Sequence, residues 1–240
     1  MNPDFTSSAS VRQSALPEQR TRVGLATVVW LLMTLGMIGP ALGQPQGTAG
    51  TCVPVSERAG RELGCFITAT NVLSKPPDGP LYWHLDAYPT HAEADAAKGL
   101  SGTVVESYGK VWLFTIAQSS WRAIGGEHVA EIGPLPVGTP TKLTAVYMEA
   151  TFMPGMQSVV HRHSGPEAWY LLSGEQCLET PEGKTVVQAG ESGIVPGGPP
   201  MILTGTGTLQ RRSLVLVLHD SPKPWGSPAP DWTPKGLCKN

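Results

Sequence analysis

This 240-residue sequence has little charge of either sign: Asp, Glu, Lys and Arg together make up 15%, and the formal net charge is -2. No basic footprint exists for a phosphate backbone, so nucleic acid is not an expected partner. The one basic pair, Arg211-Arg212, reads as a solvated strand edge. The N-terminal apolar run, Val23 to Ile38, is about 16 residues, short of the roughly 20 that a spanning helix needs. There is no Cys-x-x-Cys pair, which leaves a cysteine zinc site without support. In the barrel half no second cluster of titratable residues accompanies the one described below, so no general acid or base stands out; Glu149 and Glu179 are merely the nearest by sequence.

The N-terminus carries an address rather than a fold. Arg20 and Arg22 precede the apolar run, and Gly39-Pro40-Ala41-Leu42-Gly43 follows it. A basic region, an apolar region and a small-x-small site in that order predict a signal peptide over 1–43, with cleavage after Gly43. The mature chain is then exported to the periplasm or the medium and leaves the membrane; the alternative is an uncleaved N-terminal anchor. No Cys follows the site, and Thr21 separates the two arginines, so neither a lipid-modified terminus nor a twin-arginine signal is supported. All four cysteines, Cys52, Cys65, Cys177 and Cys238, fall in the mature chain. An even count in an exported chain favours disulfides, with three possible connectivities. Cys52 and Cys65 flank a short turn region, and Cys177 alternates with Glu175 and Glu179 on an outward strand face. The pairs Cys52–Cys65 and Cys177–Cys238 are expected, against the alternative of four buried thiols.

Gly 28 and Pro 23 favour short strands and turns over long helices. After an irregular 44–62, strands are expected at "CFITATNVL" and "LYWHLDAY". A short helix "THAEADAAK" follows, with Thr90 as N-cap and Gly99 as C-cap. A hairpin in "GTVVESYGKVWLFTIA" turns near Tyr108-Gly109. This N-terminal region, 44–139, carries no chemical motif, and His84, His91 and His128 read as structural or surface residues. From 140 to 220 eight short strands without intervening helix, "TKLTAVYMEATF" through "LQRRSLVLVLHD", predict a sandwich or small closed barrel. The tail 221–240 is too proline-rich for regular structure and is expected to lie over the surface.

One stretch concentrates ligand-type side chains: "GMQSVVHRHSGPEAWYLLSG", residues 155–174. Residues two apart in a strand share a face, so His161 and His163 project together. Glu167 re-enters after a Ser-Gly-Pro break with the parity of Trp169 and Leu171, which places all three inward. Two imidazoles and a carboxylate are a ligand set for Fe(II), and suit Mn, Ni or Zn as well. A hydrogen-bonded His–Glu cluster without metal is the alternative reading.

This stretch resembles the first signature of the cupins, Gly-x5-His-x-His-x3-Glu-x6-Gly, matched at Gly155, His161, His163, Glu167 and Gly174. The second signature, Gly-x5-Pro-x-Gly-x2-His-x3-Asn, is matched at Gly190, Pro196 and Gly198 only; Met201 and Gly205 stand at its His and Asn. The resemblance implies a mainly β fold, an antiparallel jelly-roll barrel, commonly a homodimer, holding a divalent metal on His161, His163 and Glu167. The N-terminal region would be an α+β extension or a degenerate second half. Met201 is either a soft thioether ligand, which would favour Cu, or an apolar wall of the pocket; the wall reading is preferred. His219 could replace the missing ligand, though a strand-terminal His usually faces solvent. The fold hosts many activities. The expected function is a metal-dependent, dioxygenase-like oxidoreductase acting on a small molecule, with a non-catalytic ligand- or metal-binding module as alternative.

Overall fold

Ten consecutive residues, Leu143–Phe152, are buried without exception. A strand can bury both faces only when a layer lies on each side of it. The computed structural model, which describes residues 48–49, 52–73, 75–138 and 142–239, supplies both layers. The segment 1–43, expected to be a signal peptide, lies outside the described residues. Among the described residues no helix is long and apolar enough to cross a membrane.

In chain order the elements begin with β1 (Thr48–Ala49), β2 (Val53–Pro54), β3 (Gly64–Leu73) and β4 (Tyr82–Tyr88). Helix α1 (His91–Ala97), β5 (Gly102–Ser107), β6 (Lys110–Ala117) and β7 (Glu127–Ile132) follow. Then come β8 (Leu143–Phe152), β9 (Gln157–Ser158), β10 (His161–His163), β11 (Glu167–Ser173) and β12 (Glu175–Thr180). The chain closes with β13 (Gly183–Gln188), β14 (Ser192–Val195), β15 (Ile202–Thr206), β16 (Arg211–Asp220) and β17 (Gly226–Pro228).

These strands make an inner sheet β1-β9-β15-β12-β13, a central sheet β14-β11-β16-β8-β3-β2 and an outer sheet β5-β6-β4-β7. The even residues of β8, Val146, Met148 and Ala150, pack with Trp169, Leu171, Val215 and Leu203 between the inner and central sheets. The odd residues Leu143, Ala145 and Tyr147 pack with Trp83, Phe114 and Ile116 between the central and outer sheets. The inner and central sheets form the mainly β, two-sheet barrel that the cupin resemblance implies. Strand β3, from the N-terminal region, pairs with β8 inside the central sheet. Phe114 lies 5.2 Å from Tyr147 and 5.3 Å from Trp83, ring centroid to centroid; truncating such a ring to Ala costs about 3–5 kcal/mol.

Local signals explain several boundaries. Tyr108 and Gly109 both have positive φ, 53° and 71°, the backbone of a two-residue turn whose twist matches the strands it joins. Thr90 caps α1 by accepting a bond from the Glu93 amide, and the helix stops at Lys98, one residue before the expected Gly99. The two expected disulfides, Cys52–Cys65 and Cys177–Cys238, are present.

The C-terminal tail departs from expectation. Its residues Gly226–Pro228 form β17 and pair antiparallel with β10, so His161 opposes Pro228 and His163 opposes Gly226. A three-residue strand ending in Pro has no readable period, yet an edge position tolerates the proline. Further on, Arg162 Nη2 donates to both carboxylate oxygens of Asp231, at 2.6 and 2.7 Å. Glu179 accepts the amides of Lys235 and Leu237, which leaves its carboxylate no part in barrel chemistry.

Candidate metal centre

His161, His163 and Glu167 converge as their strand parity predicts: one ligand atom from each lies within 4.8 Å of the others. The loop between the two strands can turn this tightly because residue 165 is glycine. A Cβ there would fall 2.1 Å from the Leu218 carbonyl oxygen. The imidazole rings are 4.8 Å apart at 75°, so they address one point from different directions.

Both histidines are held in the ligating tautomer. His161 Nδ1 lies 2.8 Å from the Val159 carbonyl, and His163 Nδ1 lies 2.9 Å from the Trp225 carbonyl. A carbonyl can only accept, so each Nδ1 carries a proton, and in the neutral ring each Nε2 keeps a lone pair, the orientation that metal-binding imidazoles use. Trp225 also stacks on His163 at 5.6 Å. A Cβ on Gly226 would come 3.2 Å from His163 Nδ1, so any larger residue there would press on the imidazole.

The carboxylate completes the set. Glu167 Oε2 lies 3.3 Å from His163 Nε2 and is otherwise without a partner although it is fully buried. Burial lowers His161 below the ordinary imidazole value. At His163 burial acts the same way, but contact with Glu167 and its charge outweigh it and raise the group. At Glu167 burial favours the neutral acid, yet His163, His161 and Arg211 together hold it below the usual carboxylate range. An anionic oxygen with no other partner between two lone pairs fits a divalent cation, the neutraliser that buried carboxylates require.

The cluster opens on a cavity of about 180 Å³ shared with Arg211, Phe152, Val215 and the Cys52–Cys65 disulfide. Arg211 corrects the expectation of a solvated strand edge. It is 1% exposed and points into the barrel, while Arg212 is exposed. Its Cζ sits 4.7 Å over the Phe152 ring and Nη2 donates to Ser213 Oγ at 2.7 Å, but Nε and Nη1 have no partner. Burial lowers its pKa to about 10, so it stays cationic at neutral pH.

Other candidates fall away from the centre. Met201 forms an isolated bridge to His161, with backbone bonds of 2.8 and 3.1 Å, and its side chain is buried in the apolar barrel cluster. His219 is buried rather than solvent-facing; Nδ1 lies 3.0 Å from the Asp220 carbonyl, and it stands outside the ligand group. Glu149 projects to the outer side of the central sheet, where Arg58 and Ser107 bind it.

No family model matches the chain, and no curated protein matches it. Solved structures do. An uncharacterized conserved protein with a double-stranded β-helix domain from Klebsiella pneumoniae is 20% identical over 35% of this chain and 70% of its own, with a TM-score of 0.32. A cupin superfamily protein from Desulfitobacterium hafniense is 18% identical over 32% of this chain and 68% of its own, with a TM-score of 0.30. A structure of oxalate oxidase is 21% identical over 37% of this chain and 46% of its own, at a TM-score of 0.30. The reading of the centre therefore rests on its own geometry.

Proposed function

We propose that the barrel binds one divalent ion through His161, His163 and Glu167 and acts on a small anionic molecule, as a metal-dependent oxidoreductase of the dioxygenase type. The observation that carries the metal is the buried Glu167 Oε2, without a partner besides His163, between two imidazoles whose Nδ1 protons are committed to carbonyls. A bound ion would supply Lewis acidity and coordination positions open to substrate. The chain's own part is binding and orientation. Arg211 leaves Nε and Nη1 without a partner, and its charge attracts a carboxylate or similar anion. Phe152 and Val215 close the cavity with apolar surface, and a volume of about 180 Å³ limits the occupant to a small molecule.

A second reading, a non-catalytic binder of the same anion, has one observation in its favour. Among the described residues no Asp, Glu or His other than His161, His163 and Glu167 lines the cavity, which leaves no separate general acid or base at hand there. Metal analysis of wild type and His163→Ala, followed by O₂ uptake with small phenols, keto acids and simple carboxylates, tests both readings. A stoichiometric ion lost in the variant, with O₂ consumed on one carboxylate, supports the enzyme. Binding without uptake supports the second reading, and equal metal in both proteins refutes the site. The two disulfides are consistent with an extracellular location. We read the exported chain as beginning at Gln44, which mass spectrometry of secreted protein tests.

A further inference from the structure

On the outer sheet a second group of metal-type side chains assembles far from any signature. β4 and β7 run antiparallel, with His84 opposite Glu131 and Asp86 opposite His128. His84 and Asp86 share a face because they are two apart. His128 and Glu131 are three apart and would ordinarily face opposite ways. A bulge in the β4–β7 pairing, where the register shifts between Leu85 and Asp86, brings them to one side. One ligand atom each from His84, His128 and Glu131 then lies within 4.8 Å of the others.

The placement of the protons suits a cation. His84 is 0% exposed, and its Nε2 lies 3.0 Å from the Gln118 carbonyl. That nitrogen must donate, which leaves Nδ1 with a lone pair. Nδ1 is buried without a hydrogen-bond partner and faces Glu131 Oε2 at 3.9 Å. A lone pair and a carboxylate oxygen facing each other repel unless a cation stands between them. Asp86 is buried as well; its Oδ1 lies 2.9 Å from His128 Nδ1 and its Oδ2 has no partner. This is the carboxylate–histidine contact that orients metal-binding imidazoles. Arg122 Nη1 reaches Glu131 at 3.0 Å and also donates to the Ser119 and Trp121 carbonyls at 2.6 Å, although its side chain is 56% exposed.

We infer that His84, His128 and Glu131 form a second divalent-metal site, oriented by Asp86 and suited to a borderline ion such as Zn(II) or Co(II). Two imidazoles and one carboxylate are a tetrahedral zinc set with one position left for water. Arg122 competes with the ion for Glu131. This site is independent of the barrel centre, since its ligands lie on the outer sheet.

Mature protein stripped with a chelator and titrated with Zn(II) or Co(II) alone tests this. Wild type should take up two equivalents. His128→Ala and Glu131→Gln should each take up one, while His163→Ala should keep the outer equivalent. Removing the competitor in Arg122→Ala should tighten the outer equivalent several-fold, which a plain Arg122–Glu131 ion pair would not do. Unchanged near-ultraviolet dichroism in His128→Ala would exclude misfolding as the cause of a loss. Wild type saturating at one equivalent that His163→Ala abolishes and His128→Ala leaves intact would overturn the proposal. If His128→Ala instead removes an ion that His163→Ala retains, the outer site stands even where the barrel centre fails.

Discussion

Replacing Arg211 with Met should make the metal-free, ligand-free protein more stable while abolishing recognition of small anions. The guanidinium is 1% exposed, with Ser213 Oγ as the partner of Nη2 and none for Nε or Nη1. Two buried unpaired donors cost about 1–3 kcal/mol each. Losing the contact with the Phe152 ring gives back about 0.5–2 kcal/mol. Met is unbranched and adapts to an apolar gap, here between Phe152 and Val215. Once the lost bond to Ser213 and the attraction to Glu167 are also set against it, the balance is a gain of roughly 1–3 kcal/mol, within the range seen when buried charges are replaced by apolar side chains. For a chain of this size each kcal/mol moves Tm by about 2–4 °C. Urea unfolding at neutral pH measures the difference directly, and the thermal shift produced by small carboxylates reports the lost anchor. Functional sites often hold such strain at the expense of stability. A variant less stable than wild type by more than about 2 kcal/mol, in the absence of any ligand, would show that Arg211 is paired within the protein and would refute the reasoning.

Met201→Leu is close to volume-conserving and should leave folding and metal affinity nearly unchanged; a copper titration in which the Leu variant loses affinity would identify sulfur as a ligand. Opening the Cys177–Cys238 link, at a sequence separation of 61, with Cys177→Ser and Cys238→Ser should cost about 4 kcal/mol on the chain-entropy model. It should also weaken metal binding, because the freed tail carries Trp225 and β17; denaturant titration and metal competition measure the two effects. In the metal-free protein His163 is raised above 6.5, so the stability from its pairing with Glu167 is fully present below that pH. It is lost as pH rises through the folded value. Metal binding displaces the same proton, so the Tm gap between loaded and metal-free protein should widen from acid to alkaline pH, as scanning calorimetry would show.

The barrel centre was legible because its parity could be anchored. Trp169 and Leu171 are apolar and share the phase of Glu167, and both are buried in the barrel. The disulfides were legible for a similar reason, since Cys177 alternates with two glutamates on the face the tail crosses. Arg211 was not. β16 is apolar on both faces, with Leu214 and Leu216 packed toward the outer sheet and Val215 and Val217 toward the barrel, so no alternation says which arginine points inward. β17 escaped notice because its pairing with β10 spans more than 60 residues of chain and three residues carry no period. The outer histidines escaped for a third reason. A bulge breaks the period of two on which the reading of His84, His128 and Glu131 depends.

The central claim is a divalent ion held by His161, His163 and Glu167. An anomalous difference map at the absorption edge of a metal supplied to crystals of the mature protein tests it most directly. The account predicts a peak about 2.0–2.2 Å from both Nε2 atoms and from a Glu167 oxygen. Density at saturating metal that shows no peak between these three side chains would contradict it.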